Sequence, residues 1–221
     1  MKEIFIDDVR CRIFTSGSPS FILLQPTARH EIPTLESEAS IIAAATDAPF
    51  VLVTFEVEDW TLDLMPWPDR NISREEDLRA SVTLKFILQS LLPALEEMYG
   101  TLPVILGGYS LGGLFALWAS TFTDRFCAVA AASPSLWIRD WMPFVQKHPP
   151  LASSVYLSLG EREEHVKNQA IAKVGDCVRE TFRLLAESKH CILVWEDGNH
   201  FADNDGRLAR AFAWCLKEML L

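Results

Sequence analysis

Apolar and polar positions along the chain fall into short, near-continuous apolar runs separated by longer amphipathic stretches. The runs are FILLQ (21–25), FVLVTFEV (50–57), PVILGG (103–108), FCAVAAAS (126–133), VYLSLG (155–160) and CILVWE (191–196). Runs of this length and content are expected of strands covered on both faces. The segment EIFIDDVRCRIFTSG (3–17) alternates instead, which predicts an antiparallel pair at a sheet edge. Helical periodicity occupies Pro33 to Thr46, Arg74 to Tyr99, Gly112 to Thr121, Lys167 to Ser188 and Asn204 onward. Ser73 and Glu76 form an S-x-x-E capping box at the start of the second of these, and Gly100 follows its last turn.

Alternation of strand and helix predicts an α/β fold, a doubly wound and mainly parallel sheet with helices on both faces. At 221 residues, positions 1–221 read as one domain with a single substantial core. About two dozen residues separate the AAASPSLW segment from VYLSLG, room for one helix near Ile138 to Lys147, so no large lid domain is expected. The stretch EDWTLDLMPWPDRNIS (58–73), rich in Trp, Pro and Asp, resists assignment and follows a strand directly. Loops at the carboxyl ends of strands are where such sheets bind ligands, which makes it a candidate pocket wall.

Charge and cysteine content narrow the field. A formal net charge of −10 with no basic stripe argues against nucleic acid as a partner. No apolar run approaches the roughly 18 to 20 residues of a membrane span, and the opening MKEIFIDDVR lacks the basic-then-apolar order of a secretory leader. The five cysteines are widely spaced, with no C-x-x-C pair, and read as buried thiols of a cytoplasmic protein rather than disulfides or metal ligands.

The chemistry concentrates around Ser110. Gly108-Tyr109-Ser110-Leu111-Gly112 is a G-x-S-x-G sequence between a predicted strand and a predicted helix, the context of a nucleophile elbow. So tight a turn brings strand and helix together, so the positions two before and two after its apex must be small. The serine oxygen then stands at a helix N-terminus, where the backbone N–H of Leu111 faces the charge that develops during attack. The competing reading is that the glycines only permit close packing and Ser110 caps the helix.

A serine nucleophile needs a base. Of the five histidines, His200 in VWEDGNHF lies just past the last strand, in a turn able to carry its ring over the carboxyl edge of the sheet. An orienting acid should lie between the two in sequence, after the preceding strand. LGEREEH offers Glu161, Glu163 and Glu164 there; a turn glycine and two spacers before the acid favour Glu163, with Glu164 next. The second oxyanion donor should come from the loop after FILLQ, where Pro26 has no N–H and the backbone of Thr27 is the candidate, with Gln25 as a further participant.

With these residues in place, the chain resembles the esterase group of the α/β-hydrolase superfamily, related to esterase D and to hydrolases that open siderophore trilactones. The resemblance runs through LLQPTARHE, VEDWTLDLMPW, GGYSLGGLFALW, SPSLW, YLSLGEREE and GNHF. It implies that Ser110 and His200 are nucleophile and base, and that Trp60, Trp67 and Trp137 border a substrate pocket; Gln25 and Tyr109, next to the elbow and its facing strand, are further candidates for contact with substrate. Core packing is the competing role for each tryptophan. Gln25-Pro26 stands where that group carries His-Gly, and some trilactone hydrolases work with a Ser/His dyad. The resulting expectation is a cytoplasmic serine hydrolase for small to medium carboxylic esters, with a small-molecule ester as partner and neither metal nor organic cofactor. A thioesterase, peptidase or acyltransferase on the same residues, and a non-catalytic ligand binder with this fold, stay open as alternatives. The sequence carries no sign of oligomeric state.

Overall fold

A computed structural model of the chain describes residues 1–72 and 77–220. Eight strands form one sheet: β1 (Lys2–Ile6), β2 (Val9–Ser16), β3 (Phe21–Thr27), β4 (Phe50–Glu56), β5 (Val104–Tyr109), β6 (Phe126–Ala132), β7 (Ser154–Gly160) and β8 (His190–Glu196). Their order is β1-β2-β4-β3-β5-β6-β7-β8. β1 and β2 pair antiparallel, as their alternation predicts, and β2 pairs antiparallel with β4. From β4 to β8 every pairing is parallel. β3 to β7 are buried along nearly their whole length, the consequence of helices on both faces.

The helices are α1 (Leu35–Ala45), α2 (Trp60–Leu64), α3 (Ala80–Phe86), α4 (Leu92–Tyr99), α5 (Leu111–Ala119), α6 (Trp141–Lys147), α7 (Gln169–Ala172), α8 (Val174–Ala186) and α9 (Asn204–Glu218). One core packs the sheet against residues of α3, α4, α5, α6 and α8; the other packs it against α1 and α9. α5 is buried at every position, so it is apolar all round rather than striped.

Several elements differ from their predicted bounds for local reasons. A 3-10 turn covers Arg29–Thr34, so α1 begins after Pro33 rather than at it. The predicted 74–99 helix begins at Ala80 and contains a π turn at Ile87–Leu91. Pro93, next to that turn, has no N–H for a regular α bond, and the wider turn accommodates it. The Ser73/Glu76 capping box lies outside the described residues. The 167–188 stretch divides into α7 and α8, and the unassigned 58–73 stretch holds the short α2, capped by Asp59 accepting from Thr61 and Leu62 N–H. Between β6 and β7 there is one helix, α6, and no lid.

The chain leaves β3 toward β4 on one side, whereas β5 lies on β3's other side. This reversal opens a crevice at the carboxyl ends of β3 and β5, the place where open α/β sheets bind ligands.

Candidate active site

Ser110 sits between β5 and α5 with φ 57° and ψ −116°, a backbone conformation unfavourable for any residue with a side chain. The turn is held from both sides. Ser110 N–H donates to the Ala132 carbonyl at 3.1 Å, and the Ser110 carbonyl accepts from Leu114 N–H at 3.1 Å and Ser135 N–H at 3.0 Å. The flanking glycines follow from this crowding, though unequally. A Cβ on Gly108 would stand 2.3 Å from the Gly112 carbonyl carbon, whereas one on Gly112 would meet the Pro26 ring at 3.3 Å. As first residue of α5, Leu111 has no carbonyl four positions back within the helix, so its N–H is available at the turn.

The loop after β8 brings His200 over this turn. Its Nε2 lies 2.9 Å from Ser110 Oγ, and its Nδ1 lies 2.7 Å from Glu163 Oε2. Two links fix the loop: Gly198 at φ 99° turns the chain, and the buried Tyr109 hydroxyl donates to the His200 carbonyl at 2.7 Å. His200 is one-third exposed, so the Ser110 end of the array is open to solvent.

Of the three carboxylates after β7, Glu163 reaches His200. Glu164 turns away to a bidentate pair with Arg179 at 2.6 and 2.7 Å, and Glu161 stays exposed. The Glu163 side chain is only 4 % exposed, and its Oε1 accepts from Gly160 N–H at 2.8 Å, Ser133 Oγ at 2.8 Å and Arg207 Nη1 at 2.9 Å. Burial pushes this carboxyl up. The hydrogen bonds and charge it shares with His200, and those from Gly160 and Ser133, outweigh burial and hold it below the usual carboxylate range.

Arg207, on α9, is fully buried and also donates to Tyr109 Oη, Ser133 Oγ and the Asp197 carbonyl. Neither Arg207 nor Ser133 stands out in the sequence, where Arg207 reads as one more basic residue of an amphipathic helix. A signal was present in Gly160, whose added Cβ would lie 2.8 Å from the Arg207 guanidinium. Ser135 also escapes sequence reasoning, although its Oγ is 3.2 Å from Ser110 Oγ. Phe201, beside His200 and 84 % exposed, is a further unpredicted neighbour.

The remaining predicted residues divide. Gln25, Trp60 and Tyr109 border one cavity beside the turn, together with Pro26. Trp67 instead packs its ring 5.2 Å from Phe144 and donates its indole N–H to the Arg139 carbonyl, tying the 58–72 loop to the segment before α6. Trp137 packs against the core on the α5 side. The expected Thr27 donor is corrected by its register. β3 continues two residues past Gln25, and the Thr27 carbonyl accepts from Val57 N–H at 3.1 Å, beside β4. In a parallel strand the N–H and C=O of one residue face the same neighbour, so the Thr27 amide is directed toward β4 and away from the crevice. Among the described residues no group of three or more His, Cys, Asp or Glu converges as a metal site requires.

Residues 33–191 match the family model described as "Putative esterase". The chain belongs to that esterase family. It is a carboxylic ester hydrolase of the α/β-hydrolase superfamily. The esterase shares its fold with siderophore hydrolase EstB from Aspergillus nidulans, at TM-score 0.75 and 16 % identity over 100 % of this chain and 95 % of that one. Siderophore hydrolase EstA from the same organism gives TM-score 0.73 and 17 % identity over 95 % and 90 %. The enterobactin esterase FES from Shigella flexneri gives 0.73 and 20 %, with all of this esterase spanning 60 % of that chain. No curated protein sequence matches the esterase.

Proposed function

We propose that this esterase is a serine hydrolase that cleaves carboxylic esters of small to medium acyl groups through an acyl-enzyme. The observation that carries the proposal is the continuous array Ser110 Oγ, His200, Glu163, with separations of 2.9 and 2.7 Å. In this reading His200 Nε2 takes the proton of Ser110 as its oxygen attacks the ester carbonyl, and Glu163 holds the proton on Nδ1 and stabilises the imidazolium. The Leu111 N–H, at the positive end of α5, faces the oxyanion. Ser135 Oγ hydrogen-bonds Ser110 Oγ and orients the hydroxyl before attack. His200 then returns its proton to the leaving alcohol, and water repeats the sequence on the acyl-enzyme.

Small to medium acyl groups are supported by the single short helix between β6 and β7, which leaves the site without a cap to enclose a long chain. The same reading takes residues 1–221 as one domain. It places the enzyme in the cytoplasm, in keeping with five free thiols, and no helix among the described residues is long and apolar enough to cross a membrane. Turnover of p-nitrophenyl acetate, butyrate, octanoate and palmitate tests the reading. Rates should fall beyond medium chain length, and Ser110→Ala should lower all of them by about three orders of magnitude or more with the fold unchanged.

A further inference from the structure

On the α1/α9 face of the sheet a cavity of about 260 Å3 opens at the carboxyl ends of β3 and β5. Tyr109 and Phe201, the chain neighbours of Ser110 and His200, line it together with Pro26 and Trp60. Leu24 is paired with Leu106, so Gln25 stands three residues below Ser110 on the adjacent strand. Strand geometry puts their Cα atoms about 11 Å apart.

Gln25 and Glu38 of α1 lie at the bottom of the cavity, 3 % and 2 % exposed. Gln25 Nε2 donates to Glu38 Oε2 at 3.1 Å, and that bond leaves Gln25 Oε1 and Glu38 Oε1 buried without a partner. With Glu38 ionised these are two unpartnered acceptors side by side, and they require donors. The surroundings are mainly acidic. Glu31 from the turn after β3 and Asp205 from the first turn of α9 face Glu38, and Asp203, which also borders the cavity, is paired with Arg210. His30 borders it as well, and among the described residues no Lys or Arg does.

Three N–H donors, a positive charge and no acceptor complete such a site; a primary ammonium group has all of these. The aromatic side chains of Trp60, Tyr109 and Phe201 along the cavity suit the approach of the same group. We propose that this cavity is an ammonium-selective subsite, and that the esters this enzyme prefers carry a primary amine on the acyl arm, reaching past Pro26 and Tyr109 to Glu38 and Gln25. The proposal rests on Ser110 being the nucleophile, since that fixes where the arm begins. An arm of five or six carbons spans the distance estimated from the strands.

The carboxyl of Glu38 is pushed up to about 8, by burial first and by Glu31 and Asp205 after it, while its bond from Gln25 acts the other way. Without a cation Glu38 is therefore protonated at neutral pH, and an arriving ammonium displaces that proton. Binding should tighten as pH rises from 6 toward 8, until the amine itself deprotonates above about 10.

The test compares p-nitrophenyl 6-aminohexanoate with p-nitrophenyl heptanoate, which differ by an ammonium in place of a methyl. At pH 8 kcat/KM should favour the amino ester at least tenfold, and Glu38→Gln should bring the ratio to about one. Calorimetric titration of the Ser110→Ala protein with n-hexylamine and n-hexanol reads the subsite without turnover. The amine should bind at least tenfold more tightly at pH 8 than at pH 6, and more tightly than the alcohol at both. Should Glu38→Gln fail to fold, this pH dependence in the Glu38 protein decides the matter. Equal or lower kcat/KM for the amino ester, with the heptanoate hydrolysed normally, would overturn the subsite and leave the serine mechanism standing. Tight amine binding with neither ester hydrolysed would do the reverse.

Discussion

Arg207 Nη1 donates at 2.9 Å to the Oε1 oxygen of Glu163, whose other oxygen faces His200. The acid of the proposed triad is thus held from behind by a fully buried cation on the last helix, itself tied to the Tyr109 and Ser133 hydroxyls. An isolated buried carboxylate would be unfavourable; here α9 supplies its counter-charge. The same helix therefore closes the core and positions the site.

Arg207→Met would leave Glu163 buried without the guanidinium that faces its Oε1, with His200 on its other oxygen. Breaking a buried pair from one side costs about 3–5 kcal/mol, so urea unfolding at pH 7 should show a loss of that order. Glu163→Gln in the Arg207→Met background should restore part of that stability. A loss no larger than that of a surface arginine would contradict the pairing.

Glu38 makes stability depend on pH in an unusual direction. Its folded carboxyl titrates at about 8, above its unfolded value, so between roughly pH 4.5 and 8 the folded state holds a proton that the unfolded state has released. Its contribution accordingly falls as pH rises through that window, by up to about 1.4 kcal/mol per unit, and is level above pH 8. Glu38→Gln removes this dependence, so the variant should gain stability relative to the parent between pH 5 and pH 8 in urea titrations. Equal differences at both pH values would refute the assignment.

The elbow glycines should separate on substitution. Gly108→Ala drives a Cβ into backbone at 2.3 Å, which only displacement of the turn relieves, whereas Gly112→Ala meets the Pro26 ring at 3.3 Å. The first should abolish ester turnover and lower the melting temperature by roughly six to twelve degrees, in line with a loss of about 3 kcal/mol for strain and overpacking. The second should retain measurable turnover. Circular dichroism melts and p-nitrophenyl butyrate assays distinguish them.

The cysteines should be inert in the native protein. Cys11 and Cys215 are buried, and burial pushes the Cys11 and Cys191 thiols up to about 12 and Cys127 up to about 11. Ellman's reagent at pH 8 should therefore titrate all five thiols in guanidinium and react with native protein at least a hundredfold more slowly, because the thiolate is the attacking species. Rapid reaction of a native thiol would show that the segment carrying it opens readily.

The mainly parallel sheet, its antiparallel edge pair and the Ser110 turn are legible because their signals are local. Gly108 and Gly112 record a contact between adjacent elements, and the apolar runs of β4 to β7 record burial on two faces. Glu163 was favoured by its spacing from Gly160, which the chain carries within three residues. QPT does not reveal that the strand runs on past Pro26, and two further residues decide which neighbour the Thr27 amide faces. Arg207 was invisible because its role depends on contacts with residues 44 and 98 positions away. Arg210, three positions along the same helix, looks identical in sequence and pairs at the surface with Glu196 and Asp203. The π turn beside Pro93 and the break between α7 and α8 escaped because amphipathic periodicity continues across both.

The account turns on Ser110 being activated by His200. A fluorophosphonate probe followed by intact-protein and peptide mass spectrometry measures this directly. Labelling should be stoichiometric, confined to the peptide carrying Ser110, absent in Ser110→Ala and slowed at least a thousandfold in His200→Ala at pH 7.5. A folded protein that is not labelled, or one labelled equally fast without His200, would contradict it.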